Sequence, residues 1–250
     1  MSSNAKNHVA DRDNSGASGA AAPQAAWPVG YRIEPMPALI GDDLLAAFAD
    51  VPVAVAGDCM GRCIGAQGLR AYHENVHTRL CGRALTVRVR PGDNLMIHKA
   101  FMMASPGDIV VIDGGGDTSQ ALIGGLMRTT AITRRIGGFV VDGAIRDLAE
   151  WADGRMPVFA RGHTHRGPSK DGPGEINIPV ACAGMVVHAG DLVLGDADGV
   201  ICIPAAEVAA LLPRVRKHLE KEAAIRLSNE RGTSDPERFD AVLRAKGLPV

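Results

Sequence analysis

The feature that most constrains this chain is a succession of segments in its middle third. A short apolar run, Ile109-Val-Val-Ile112, leads into Asp113-Gly-Gly-Gly116, and then into a helix-patterned stretch starting near Thr118–Gln120 and passing Leu126 towards Arg135. Gly137-Gly138 stops that stretch. Phe139-Val-Val141 is a second apolar run, and Asp142-Gly143 opens a second helical segment that contains Arg146, Asp147 and Trp151. Parallel strands need a long crossover between them, so strand and helix patterns in alternation predict an α/β fold with loops gathered at the strands' carboxyl ends.

The flanks extend this pattern. Asp42-Asp43 opens a helix through Leu44, Leu45 and Phe48, with Pro52 marking its exit. Arg83–Arg90 alternates apolar and polar residues with period two, as a half-exposed strand does. Asp93 can cap a helix from Leu95 to Ala104. Pro157–Ala160 reads as a strand before a polar Gly/Pro-rich loop, Arg161 to Gly174, long enough to be functional. Strands are expected at 176–180, 185–188, 191–194 and 200–203, then a helix over 205–227. Ser234-Asp-Pro-Glu237 has the spacing of a capping box before a last short helix.

Charge and composition narrow the function classes. With 27 basic and 28 acidic side chains, the net charge of −1 offers no general field for nucleic acid or an anionic membrane. Aromatic residues make up only 4%, too few for base-stacking platforms. No apolar run is long enough for a transmembrane helix. Residues 1–30 lack Leu, Ile and Phe and read as a disordered leader without a secretory signal. Cys59, Cys63, Cys81, Cys182 and Cys202 are odd in number and lack framework spacing, which predicts reduced thiols and a cytoplasmic protein.

Several groups could carry chemistry. Asp113–Ser119 could cradle an anion and loosely fits a dinucleotide fingerprint through Gly114, Gly116 and Ser119, although the third glycine is absent. Gly124-Gly125 predicts a helix start or interruption with free amides, since glycine within a helix costs about 1 kcal/mol relative to alanine; close helix packing is the alternative. Arg146-Asp147 is the sharpest pair. Arginine can hold a carboxylate bidentately and aspartate can ligate a hard divalent cation, while a surface arginine beside a dipole-complementing acid is the plainer reading. Cys59/Cys63 and His163/His165 are weak metal candidates, and Lys99 a weak Schiff-base candidate.

Taken together, the motifs resemble the RraA-like family, which includes 4-hydroxy-4-methyl-2-oxoglutarate/4-carboxy-4-hydroxy-2-oxoadipate aldolases. The resemblance runs through Gly92-Asp-Asn94, Pro106–Asp113, Ala121-Leu-Ile-Gly-Gly-Leu126, Gly138–Asp147, Pro157–Ala160, Gly174–Pro179 and Gly190–Val200, covering roughly residues 35–225. It implies a single-domain layered α/β sandwich like the swivelling phosphohistidine domains, expected here over residues 31–228; the last short helix, read from the sequence itself, makes 229–250 a C-terminal helical arm outside the resemblance. The resemblance further implies a homotrimer or hexamer with sites between subunits, and Mg²⁺ or Mn²⁺ for cleaving small 4-hydroxy-2-oxo acids to pyruvate. Many family members also decarboxylate oxaloacetate.

Carried over by residue, Arg146 would bind the pyruvyl group, Asp147 would ligate the metal, and the Gly124–Met127 turn would receive the substrate carboxylate through the amides of Gly125, Leu126 and Met127. Gly125 stands where aldolase members often have an acid. Glu175, Asp196 and Asp198 are alternatives for an acid supplied to a neighbouring subunit. Arg161, Arg166, Ser169 and Lys170 could meet a second substrate carboxylate. The resemblance also allows a non-catalytic role, because RraA itself inhibits a ribonuclease by protein contact.

Overall fold

The computed structural model describes Met1, residues 27–37 and residues 40–250. The expected leader, residues 1–30, therefore lies almost entirely outside the described residues. In chain order the first elements are β1 (Tyr31–Ile33), α1 (Asp42–Phe48), α2 (Val53–Cys59), β2 (Arg70–Ala71), β3 (Leu80–Val89) and α3 (Leu95–Met103). The middle contains β4 (Ile109–Asp113), β5 (Ala121–Ile123), α4 (Gly125–Thr133), β6 (Gly138–Ile145), α5 (Leu148–Trp151) and β7 (Val158–His163). The remainder is β8 (Gly174–Ile176), β9 (Val180–Cys182), β10 (Met185–Val187), β11 (Leu192–Asp196), β12 (Gly199–Ile203), α6 (Ala205–Glu230) and α7 (Glu237–Ala245).

The expected parallel core is present. β3, β4, β6 and β7 lie side by side, and each neighbouring pair is parallel. Their β-branched residues suit this position, because strands covered on both faces need apolar side chains on both. For the same reason β3 departs from the half-exposed expectation: Ala84, Leu85, Thr86, Val87 and Val89 are all buried. Thr86 satisfies its buried hydroxyl on the Ile178 carbonyl at 2.6 Å.

Three apolar clusters make the layers. One packs Phe101, Phe139 and Trp151 under α3, α4 and α5. A second joins α1, α2 and α6 to β11–β12 through Phe48, Ile203 and Val208. The third lies between the sheet and the β9–β10 hairpin. The result is a single-domain α/β fold.

Two expectations in the middle segment are corrected. No helix starts at 118–120; Ala121–Ile123 forms β5, paired parallel to β6. Nor does Asp142-Gly143 turn the chain into a helix. β6 continues to Ile145, and Gly143 sits within it because a Cβ there would lie 2.8 Å from Leu122 Cδ1 of β5. Asp147 is the N-cap of α5, which has only four residues.

Smaller differences follow local chemistry. Pro52 ends one helix and also caps α2, a helix the sequence reading missed. Ser234 does not cap α7; its hydroxyl donates to Asn229 Oδ1 at 2.7 Å, while Asp235 Oδ1 accepts the Glu237 amide. No residue from 231 to 250 is buried. No helix among the described residues is long and apolar enough to cross a membrane.

Candidate functional site

The ends of β5 and β6 place the Gly124-Gly125 turn beside Arg146-Asp147. The Arg146 amide donates to the Ile123 carbonyl at 3.0 Å, fixing the two strand ends together. Beneath them, the buried Trp151 donates its indole N–H to the Arg146 carbonyl at 2.8 Å. Asp147 has the left-handed φ of 60°, uncommon outside glycine and costing on the order of 1–3 kcal/mol. Contacts at both ends of the residue hold it there. Its carbonyl accepts the Glu150 amide at 3.0 Å, and its Oδ2 accepts the Gly125 amide at 2.8 Å.

The glycine pair is a steric requirement of this arrangement. A Cβ on Gly124 would fall 2.5 Å from Asp147 Oδ2 and 2.8 Å from Arg146 Cγ. A Cβ on Gly125 would fall 2.2 Å from Glu150 Oε1. The pair also begins α4, with Gly124 as its N-cap. The Gly125 amide is already given to Asp147, whereas the Leu126 and Met127 amides have no protein acceptor among the described residues. The Leu126 and Met127 amides therefore remain for an anion at the positive end of the helix.

Arg146 and Asp147 are both partly exposed, with Nε and Oδ2 3.5 Å apart. Beside them lies a cavity of about 120 Å³, lined by Asn94, His98, Gly124, Met127, Arg146 and Lys170 among others. It is small beside the roughly 300–1,000 Å³ of pockets for drug-sized ligands. Asn94 is buried and donates from Nδ2 to the Leu122 carbonyl at 3.0 Å, yet its Oδ1 has no partner. Burial, and then the Lys170 cation, hold the His98 imidazole below its ordinary pKa, so it is neutral at pH 7. His98 Nε2 likewise has no partner.

The sequence reading missed Asn94, His98 and Glu150. A signal existed for the first two: Asn94 is the N-cap of α3 and His98 lies one helical turn on, its amide bonded to the Asn94 carbonyl at 3.1 Å. Glu150 gave none, because its approach to Gly125 depends on the αL turn at Asp147.

The other candidates separate plainly. Asp113–Ser119 is not an amide cradle. The Gly114 and Gly116 amides bond to the Asp142 carbonyl, the Gly115 and Ser119 amides bond to Asp113 and Asp117, and a strand rather than a helix follows. Arg161 is committed to Asp142, and Ser169 donates to Asp93 Oδ2 at 2.7 Å. The loop carrying them packs over Arg146, since a Cβ on Gly167 would lie 2.9 Å from an Arg146 terminal nitrogen. Of that loop's four polar candidates, Lys170 lines the cavity.

Glu175 pairs with Arg88, and Asp196 accepts the Val53 and Asp198 amides, leaving Asp198 exposed without a committed carboxylate. Lys99 is exposed on α3 and does not line the cavity. Neither Cys59/Cys63 nor His163/His165 belongs to a cluster of three or more ligating groups among the described residues.

Asp147 and Glu150 are the side chains here that could hold a divalent cation. Consecutive glycines leave room for two carboxylates, those of Asp147 and Glu150, and oxygen donors of this kind match Mg²⁺ or Mn²⁺.

Comparison with known proteins adds relationships to this geometry. Residues 46–202 match the sequence profile of the family described as RraA-like, Aldolase/RraA. A Halalkalibacterium halodurans protein, provisionally named 4-hydroxy-4-methyl-2-oxoglutarate aldolase, is 38% identical over 194 residues, which is 77% of this chain and 90% of that one. The 4-hydroxy-4-methyl-2-oxoglutarate aldolase of Thermus thermophilus is 33% identical over 126 residues, covering 50% of this chain and 76% of the relative. Among solved structures, Streptomyces coelicolor RraAS2 superposes with a TM-score of 0.68 at 23% identity, covering 75% of this chain and 97% of that one.

Proposed function

This chain belongs to the RraA-like family, Aldolase/RraA, and on that premise we propose that it is a lyase that cleaves a small 4-hydroxy-2-oxo di- or tricarboxylic acid to pyruvate and a second oxo acid. The observation that carries the reading is the meeting of Arg146 and Asp147 with the open amides of the 124–127 turn. In this reading Asp147 and Glu150 would hold Mg²⁺ or Mn²⁺, which would supply Lewis-acid stabilisation of the negative charge that develops as the bond breaks.

The reaction breaks the C3–C4 bond. The 4-hydroxyl loses its proton as C4 becomes a carbonyl, and the bonding electrons pass to C3 to give the enolate of pyruvate, which is then protonated at C3. Arg146 donates hydrogen bonds to the charge that develops on this fragment, an interaction that strengthens as the bond breaks. The Leu126 and Met127 amides receive the C1 carboxylate. Lys170 and the neutral His98 line the same cavity and face the remainder of the substrate. Oxaloacetate decarboxylation would need the same enolate stabilisation, and is proposed as a second activity.

We place the site at a boundary between subunits of a trimer or hexamer. Leu126 supports this: it is 84% exposed at the mouth of the cavity, where a neighbouring chain would cover it. Asp198 is the acid of the three candidates left free to reach another subunit. A cytoplasmic location fits the five free cysteines.

The test is pyruvate release by purified protein with Mg²⁺ and either 4-hydroxy-4-methyl-2-oxoglutarate or 4-carboxy-4-hydroxy-2-oxoadipate. Turnover that disappears in Asp147→Ala supports the reading. Absence of turnover of either acid and of oxaloacetate, by metal-loaded protein, would overturn it in favour of a non-catalytic protein-binding role. That second role is suggested by a Thermus thermophilus structure described as the RNA-processing inhibitor RraA, 27% identical with a TM-score of 0.56, covering 62% of this chain and 93% of that one.

A further inference from the structure

Away from α4 and α5, the contact between α2 and α6 brings together three ligating groups. His218 and Glu222 are four residues apart on α6 and share one helix face, while Asp58 lies in the last turn of α2. His218 Nε2 is 3.3 Å from Glu222 Oε1 and 3.6 Å from Asp58 Oδ2, and the three ligand atoms all lie within 4.8 Å of one another. Among the described residues this is the one cluster of three such groups.

The separations are informative. Direct N–H···O hydrogen bonds fall at about 2.7–3.2 Å, so the imidazole stands slightly too far from both carboxylates. Ligands bound to Zn²⁺ at about 2.1 Å in a tetrahedron stand about 3.4 Å apart along each edge. The two edges at His218 bracket that value, and the Asp58–Glu222 edge lies within 4.8 Å.

The mounting is rigid as well. Val55, Ala56 and Cys59 of α2 pack in one buried cluster with Val208, Leu211 and Val215 of α6. Arg62 spans the Asp58 carboxylate, with Nε 3.1 Å from Oδ1 and Nη2 3.3 Å from Oδ2, which orients it and leaves the second lone pair of Oδ2 for a ligand.

We propose that Asp58, His218 and Glu222 form a second metal site, for a borderline d-block cation such as Zn²⁺, that clamps α2 to α6. One imidazole and two carboxylates suit Zn²⁺ or Co²⁺ better than Mg²⁺, and three protein ligands leave a fourth position for water. Lys217, Lys221 and Arg214 line the adjoining cavity of about 320 Å³, and their charge weakens binding from the tight range of purely structural sites. The clamp is independent of the lyase reading, because it shares no residue with the Arg146–Asp147 site.

The experiment is a calorimetric Zn²⁺ titration of the full chain carrying Asp147→Ala, which counts this site alone, with parallel Co²⁺ absorption spectra. The expected result is one equivalent of Zn²⁺, tetrahedral Co²⁺ bands, and a melting temperature raised by zinc. Adding His218→Ala should weaken binding at least tenfold and abolish both the bands and the thermal shift. Glu222→Gln, at a more exposed position, should weaken binding without disturbing the fold. No zinc binding before His218→Ala is added, or unchanged stoichiometry and affinity afterwards, overturns the proposal.

Discussion

The Asp147 carboxylate accepts the Gly125 amide hydrogen at 2.8 Å and so fastens the end of β6 to the first turn of α4. The contact joins residues 22 positions apart and stabilises a left-handed backbone that an aspartate adopts at a cost. It also commits one carboxylate oxygen, leaving the other for a ligand.

Asp147→Asn separates these roles. The asparagine side-chain oxygen can still accept the Gly125 amide, so the melting temperature should stay within about 2 °C of wild type. Pyruvate release should fall at least 100-fold, because a neutral amide is a poor ligand for a hard cation. Retention of activity with intact folding would remove Asp147 from the metal-holding role.

The two glycines of the turn should respond differently to alanine. In Gly124→Ala the new methyl collides with Asp147 and Arg146 together, and Asp147 is tied in place. Activity should be lost and stability reduced. In Gly125→Ala the collision is with the far end of the exposed Glu150 side chain, which can swing away, while replacing a helical glycine returns up to about 1 kcal/mol. Near-normal stability with weaker Mn²⁺ binding, read by electron paramagnetic resonance, is the expected outcome.

Arg128 is buried on α4 and pairs with Asp153. Hydrogen bonds, first from Arg128 and then from the Arg155 amide, hold the Asp153 carboxyl well below the usual carboxylate range. A carboxyl depressed in the folded state contributes stability above its unfolded pKa of about 3.9 and loses it as pH falls through the folded value. Asp153→Asn should therefore flatten the acid limb of the stability–pH curve below about pH 4. At pH 7, Asp153→Ala leaves Arg128 buried and unpaired and should cost about 2 kcal/mol, discounted for the partial exposure of Asp153. Thermal melts from pH 2.5 to 7 would show both effects.

The thiols should differ sharply in reactivity. Cys63 is exposed, whereas burial raises the Cys182 and Cys202 thiols far above their ordinary range and Cys81 to about 11. Iodoacetamide at pH 8 should alkylate Cys63 first and leave Cys182 and Cys202 unmodified until the protein unfolds. Peptide mass spectrometry reads the order, and early modification of Cys182 would contradict the burial.

Much of the fold was legible because its signals are local. Runs such as Ile109–Ile112 and Phe139–Val141 combine β-branched residues with flanking glycines, and the structure places both in adjacent parallel strands. The start of α4 was legible as the Gly124-Gly125 pair. β5 was not, because a three-residue apolar run reads equally well as part of a helix when only pairing with β6 separates the two. The continuation of β6 through Asp142-Gly143 was hidden for a related reason: that dipeptide signals a turn in isolation, and here its glycine gives Leu122 room to pack.

The sequence by itself determined the α/β class, the parallel core, the family, and Arg146-Asp147 beside the glycine turn as the candidates. These rest on periodicity, residue type and motif order, all of which survive in one dimension. The tertiary structure decided how that turn is used: Gly125 donates to Asp147, Glu150 occupies the space a Gly125 side chain would need, and Asn94, His98 and Lys170 line the cavity with Arg146. It alone also brought Asp58 to His218 and Glu222. Contacts between residues far apart in the chain depend on how the layers pack, and no local pattern encodes that.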